Sequence, residues 1–205
     1  MNRIITIGRE FSSGGREFGK RLAENLGIAY YDGEIISAIA ERSELAEDYV
    51  AQIVEQRIRT YYPITVANTL TVHPGDAVYA VTRSIYTAQT EIIREMAQKS
   101  DCVIVGRCAD HILAQEKPLR IFLYAAMPER IARCRRNGGD AAGKSDRELE
   151  REIRGVDKSR AQYYRFYTGQ IWGDKLNYDL CLNATGIDLS LAANTVAEMV
   201  RKTSS

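Results

Sequence analysis

Residues 12–17, Ser12-Ser13-Gly14-Gly15-Arg16-Glu17, set small side chains, a guanidinium and a carboxylate directly after the apolar run Ile4-Ile5-Thr6-Ile7-Gly8. Small residues at such a turn let a ligand approach the main chain, and the N–H groups that open a following helix bind anions. The repeat Phe18, Leu22, Leu26 supplies that helix. The chemistry this layout suits is the holding of phosphate groups by amides, with Arg16 adding a planar charged fork. The spacing departs from the pattern Gly, four residues, Gly-Lys-Ser/Thr. With Gly15-Arg16-Glu17 set over Gly-Lys-Ser/Thr, Glu10 stands where the first Gly belongs, arginine replaces lysine, and a carboxylate replaces the Mg2+-binding hydroxyl. Glu17 can itself ligate a metal, yet it adds negative charge beside phosphates. A glycine-rich strand-to-helix turn that binds nothing has the same appearance.

Two further residues sit where short apolar runs end. Asp32 follows Ala29-Tyr30-Tyr31 and would either orient a metal or an acceptor, or cap a helix starting near Glu34. Arg107 follows Cys102-Val103-Ile104-Val105-Gly106 and is expected at the carboxyl edge of a sheet, where ligands of open α/β folds bind. A guanidinium there suits an acceptor phosphate; an ion pair with Asp110 or Glu34 is the other reading. Arg130, Arg133, Arg135 and Arg136 place four arginines within seven residues, more than the nearby Glu129 can pair, which points to an anionic ligand. For any single one of them, solvated helix surface is the plain alternative. His73 and His111 lie far apart in sequence and suggest neither a metal nor a catalytic role.

The elements that must position these groups alternate. Strand-like runs at 4–8, 29–31, 102–106, 119–124 and 180–182 are separated mostly by helical patterns, which predicts an α/β fold with a parallel sheet. The run 102–105 lacks polar alternation, as expected of a strand covered on both faces. The stretch 43–75 breaks the rhythm, with a helix expected over 44–59, then Tyr61-Tyr62-Pro63, and Asp76 as the cap of the long helix that follows. Residues 137–145 carry glycines at a density that predicts mobility before a helix beginning near Asp146.

Bulk properties narrow the function classes. The 205 residues with 45% hydrophobic content fit one domain with a substantial core, and a net charge of +1 calls for neither a nucleic-acid nor a membrane partner. The 4 cysteines lack metal-ligand spacing, which fits a reducing cytoplasm. Neither a signal peptide nor a run of roughly 20 apolar residues is visible, so a soluble cytoplasmic protein is expected.

The segments Ile4…Thr6-Ile7…Ser13-Gly14-Gly15-Arg16-Glu17…Gly19…Leu22-Ala23…Leu26-Gly27…Tyr30-Tyr31-Asp32, Val103-Ile104-Val105-Gly106-Arg107-Cys108-Ala109-Asp110, and Asp157…Arg160…Tyr163-Tyr164…Tyr167-Thr168-Gly169…Trp172-Gly173…Tyr178-Asp179-Leu180…Asn183 resemble the cytidylate kinase-like family of bacterial P-loop proteins over nearly the whole chain. The resemblance implies a three-layer P-loop NTPase fold with a five-stranded parallel sheet flanked by helices. It further implies a monophosphate-binding insertion near 43–75 and a lid near 134–168, within a single domain over 1–205. It implies a nucleotide kinase that transfers the γ-phosphoryl group of ATP, with Mg2+, to a nucleoside monophosphate or a related small acceptor. The donor side would use Ser12, Ser13, Gly14, Gly15, Arg16, Glu17 and Arg133; the acceptor side, Asp32, Arg107, Asp157 and Lys158. Arg16, Arg107, Arg133 and Arg160 would neutralise the transferring group, and Glu17 or Asp32 would be the metal-ligand candidates. Authentic cytidylate kinases carry Leu-Asp-Ser-Gly where this chain has Tyr31-Asp32-Gly33-Glu34, and Asp-Gly-Arg-Asp where it has Val105-Gly106-Arg107-Cys108. Two alternatives stay open: a nucleotide-binding sensor or regulator without turnover, and a kinase for a non-nucleotide acceptor. The cluster Tyr163-Tyr164-Arg165-Phe166-Tyr167, with Trp172, would stack a base or pack the hinge of the lid onto the body.

Overall fold

The computed structural model describes residues 2–48, 50, 51, 74–138, 141 and 143–203. Strand β1 (Ile4–Arg9) leads through a loop into helix α1 (Gly15–Leu26), then β2 (Ala29–Tyr31) and α2 (Glu34–Ser43). After α3 (Pro74–Lys99) come β3 (Cys102–Val105), the single turn α4 (Ala109–Ile112), β4 (Leu119–Tyr124) and α5 (Met127–Arg136). Helix α6 (Asp146–Thr168), β5 (Leu180–Asn183) and α7 (Leu189–Thr203) complete the order. The five strands form one sheet in the order β2-β3-β1-β4-β5, every neighbouring pair parallel.

The unbroken apolarity of the strands follows from cover on both faces. Ile4, Cys102 and Ile104 face a core built with Ile35, Ile39, Ile85 and Ile93, whereas Ile5, Ile7, Val103, Val105, Ile121 and Leu123 face Phe18 and Leu22 of α1 and Val196 and Val200 of α7. The register Ile7↔Val105 and Ile7↔Ile121 aligns the ends of β1, β3 and β4, so the residues that follow them emerge at one edge. The expected strands stand, with β1 running one residue further to Arg9, β3 ending one residue earlier and β5 reaching Asn183. Among the described residues no helix is long and apolar enough to cross a membrane.

Two helix expectations shift. Glu44 does not open a helix: at φ 56 it is the left-handed cap that ends α2, its N–H donating to the Ala40 and Glu41 carbonyls while Leu45 tucks against the core. Helical backbone resumes at 47 and includes 50 and 51, while 52–59 of the expected helix lie outside the described residues, as do Tyr61-Tyr62-Pro63 and His73. Asp76 lies inside α3, which begins no later than Pro74. Of the 137–145 stretch, 139, 140 and 142 lie outside the described residues. The start of α6 at Asp146 stands, fixed by a capping box in which Ser145 and Glu148 satisfy each other's backbone N–H groups.

Burial leaves an alkaline signature. It pushes the Cys102 thiol from 9.0 up to about 11 and the Cys108 thiol well above its ordinary value, and it pushes the Tyr30 phenol up to about 12. A raised folded-state value means the unfolded chain releases its proton first, so this stability is full below about pH 9 and is lost as pH rises above it. The unfolding midpoint is expected to fall from pH 9 to 11, less steeply in Cys102→Ala; a flat midpoint over that range contradicts this reading.

Candidate active site

The turn between β1 and α1 is closed from within. Ser13 is fully buried, and its N–H and hydroxyl both donate to the Glu10 carbonyl, at 3.3 and 2.9 Å. Ser12, at φ 59, donates its hydroxyl to the Arg130 carbonyl at 2.9 Å. Gly14 takes the N-cap position of α1 at φ 94, a conformation that strains side-chain-bearing residues, and no side chain caps the N–H groups of the first turn. A methyl at Gly14 would stand 2.6 Å from Leu189 Cδ1 and 3.1 Å from the Arg133 guanidinium carbon. The loop is therefore a tight backbone cradle whose glycine N-cap offers no side chain to the first-turn amides, with the Arg133 guanidinium close by, an arrangement suited to an anion.

A buried clamp holds this cradle against α5 and α6. Arg130, 4% exposed, donates its Nε–H to the Phe11 carbonyl at 2.8 Å and pairs with Glu10 at 3.1 Å and with Asp157. Asp157 also accepts the Phe11 N–H at 2.7 Å, and Glu10 accepts the Ala125 N–H at 3.1 Å. The carboxylate standing in place of the motif's first glycine thus anchors the loop to the start of α5. The four clustered arginines correct the sequence reading, because their partners come from other elements as well as from Glu129. Arg130 uses Glu10 and Asp157, Arg133 uses Glu17 and Glu129, Arg135 uses Asp146, and Arg136 uses Glu129.

On the other side of the loop, charges gather at the sheet edge. Asp32, 7% exposed, lies 2.7 Å from Arg16 Nε and 3.5 Å from Arg9 Nη2. It is not the cap of α2, whose N-cap is Gly33 without a side-chain bond; Asp32's own N–H donates to the Glu34 carboxylate at 3.2 Å. Past β3, Gly106, Arg107 and Cys108 are successively left-handed, at φ 76, 58 and 55. Two adjacent non-glycine residues in that region store strain, and such strain collects at functional sites. The Arg107 carbonyl accepts Gln89 Nε2–H at 3.0 Å, which holds the turn. Arg160 of α6 donates to the Arg9 carbonyl at 3.3 Å and lies 5.6 Å over the Phe11 ring.

Between these groups opens a small cleft of about 50 Å3, lined among others by Arg9, Arg107, Asp110, Arg160, Tyr164 and Tyr178. Burial raises the Asp110 carboxyl, which accepts the Tyr164 hydroxyl at 2.6 Å. Burial also lowers the Arg9 guanidinium to about 9; Arg160, Arg107 and Arg16 add to that effect and Asp32 opposes it. Of the candidates named from sequence, Arg107 and Arg160 line this cleft, Arg16 and Asp32 bridge it to the loop, and Ser12, Ser13, Gly14, Gly15, Glu17 and Arg133 form the cradle. Asp157 lies in the clamp, and Lys158 is exposed on α6. The sequence reading missed Arg9, met Glu10 only as a motif mismatch and met Arg130 only as one of four clustered arginines.

The metal candidates fit poorly. Glu17 is bound by Arg21 and Arg133, and Asp32 by Arg9 and Arg16, while no group of three metal-capable side chains occurs among the described residues. The aromatic cluster packs α6 against α3 and the segment after it against β4: Tyr167 stacks on Tyr86 of α3 at 3.8 Å and 6°, Tyr163 bonds Gln89, and Trp172 meets Phe122 edge-on at 5.3 Å.

Comparison with known proteins agrees with this architecture. No curated protein matches the chain. An uncharacterized protein from Eubacterium ventriosum ATCC 27560 is 25% identical, with a TM-score of 0.71 over 98% of this chain and 99% of that one. Shikimate kinase from Bacteroides thetaiotaomicron is 15% identical, with a TM-score of 0.59 over 98% and 99% of the two chains. Thymidylate kinase from Candida albicans is 11% identical, with a TM-score of 0.50 over 99% and 92%. These last two show a shared fold, that of the P-loop kinases. The sequence model of the cytidylate kinase-like family matches residues 4–186, from β1 through the cradle, the cleft and the clamp to just past β5, so the chain belongs to the cytidylate kinase-like family.

Proposed function

We propose that the protein is an ATP-dependent phosphotransferase acting on a small anionic acceptor, with a nucleoside monophosphate as the leading class. The observation that supports it is the uncapped, glycine-started first turn of α1, covered by Arg133 and placed beside an arginine-lined cleft. The amides after Gly14, with Arg16 and Arg133, would hold the donor phosphates. ATP supplies the transferable phosphoryl group when bound. Arg107 and Arg160 would hold the acceptor and spread the charge that builds on the equatorial oxygens, a task of positioning and electrostatics rather than covalent chemistry. Arg16 is 57% exposed at its side chain, so it can leave Asp32 for a phosphate without unpacking the core. Both carboxylates proposed for Mg2+ are held by guanidinium groups, and no step is assigned to a metal.

A second reading, nucleotide binding without turnover, is favoured by that same pairing of Glu17 and Asp32. A coupled assay for ADP release separates the two, run with ATP and Mg2+ against CMP, other nucleoside monophosphates and shikimate. Acceptor-dependent ADP release with a monophosphate is expected. Saturable binding of ATP with no release under any acceptor would favour the second reading, and release with shikimate alone would favour a non-nucleotide acceptor. In the same preparation Arg16→Ala is expected to weaken binding of a nonhydrolysable ATP analogue by at least about 1 kcal/mol, the scale of a charge-assisted hydrogen bond. Unchanged affinity would remove Arg16 from the donor site.

A further inference from the structure

We propose that Arg9, the last residue of β1, is an anion-holding residue of the cleft, and that the acceptor it serves carries a doubly charged group of the phosphate-monoester kind. The inference rests on the reading of that cleft as the acceptor side of a phosphotransferase.

Three observations carry it. Arg9 is 7% exposed yet lines the cleft, so its charge is buried in the protein at the place where a ligand would sit. Its seat is built by two glycines from different elements. A methyl at Gly15 would come within 2.5 Å of Arg9 Cβ, and a methyl at Gly106 within 1.8 Å of Arg9 Nη1. The start of α1 and the end of β3 thus both leave out a side chain where the arginine passes. Finally, three guanidinium groups, Arg9, Arg107 and Arg160, line the cleft together with Asp110, and Asp32, 3.5 Å from Arg9 Nη2, also faces Arg16 at 2.7 Å. The Arg9 guanidinium is lowered chiefly by burial and secondarily by guanidinium crowding from Arg160, Arg107 and Arg16. An incoming dianion relieves it, whereas a neutral polyol would leave it in place. A purely structural strut between β1 and Asp32 would have no need to line a cleft.

The test uses inorganic phosphate as the probe, titrated calorimetrically into protein already saturated with a nonhydrolysable ATP analogue, so that the cradle is blocked and the cleft is read. Wild type is expected to bind phosphate saturably. Arg9→Gln is expected to weaken it about tenfold and Arg9→Lys less, since the charge is kept and the fork lost. Gly106→Ala, which displaces the guanidinium without removing it, should weaken phosphate as well. In each variant the loss for phosphate should exceed any loss for the analogue. Should Arg9→Gln lack a cooperative melt, Arg9→Lys and Gly106→Ala decide the matter. Phosphate affinities in the folded variants equal to wild type, or an absence of saturable phosphate binding in wild type that does take up the analogue, would overturn the assignment. A protein that fails to bind the analogue at all would instead strike the reading of the loop.

Discussion

Arg130→Met is expected to lower the free energy of unfolding by about 3 kcal/mol, because breaking a buried ion pair leaves its partners charged and uncompensated. The guanidinium joins Glu10, Asp157 and the Phe11 carbonyl at a site 4% exposed, tying the end of β1, the loop and α6 into one unit. Methionine restores much of the volume, so the loss reports the charge and hydrogen bonds rather than a void. Asp157→Asn should cost less, since the amide oxygen still accepts the Phe11 N–H while one buried charge is removed. Urea unfolding of the two variants beside wild type measures both. A change under about 1 kcal/mol for Arg130→Met would place its pairs with weakly contributing surface pairs and deny that they clamp the loop.

Arg107→Met is expected to reduce kcat/KM for the acceptor by about 100-fold or more, the scale on which preorganised charge aimed at a transition state acts. Its backbone is left-handed, and the strained turn from Gly106 to Cys108 is held by Gln89, an arrangement that aims a buried arginine at the cleft. The substitution also removes a buried guanidinium, so its effect on stability has to be read separately from its effect on activity. Steady-state assays with a monophosphate acceptor, together with a thermal melt of the same variant, separate the two effects. Equal activity in wild type and variant would remove Arg107 from the reacting region.

Much of the scaffold was legible in the sequence because its signals are local. The run 102–105 announces a doubly covered strand by its composition, and the glycine-rich stretch 137–145 marks the start of α6 near Asp146, although the Ser145–Glu148 capping box that fixes it was not read from sequence. Glu44 was misread because an acidic residue beginning a helical pattern looks like a start, whereas the left-handed turn that makes it a cap is a backbone property its side chain does not reveal. The arginines of α5 were misjudged because Glu10, Glu17, Asp146 and Asp157 meet them only after folding, and Glu129 was the only partner visible along the helix. For the same reason Glu10 read as a defect in a phosphate motif, when the fold uses it to fasten the loop. Arg9 was hidden by a single residue of strand length: with β1 ending at Gly8 it seemed to belong to the loop, and the glycines that seat it come from α1 and the end of β3.

Anion binding at the uncapped first turn of α1 is tested most directly by an equilibrium titration of the wild-type protein with a nonhydrolysable ATP analogue. Saturable uptake at or below millimolar concentration is predicted, lost in Gly14→Val, where a branched side chain at φ 94 would drive into Leu189 and Arg133. No uptake at millimolar analogue, or equal uptake by the Gly14→Val protein, would contradict it.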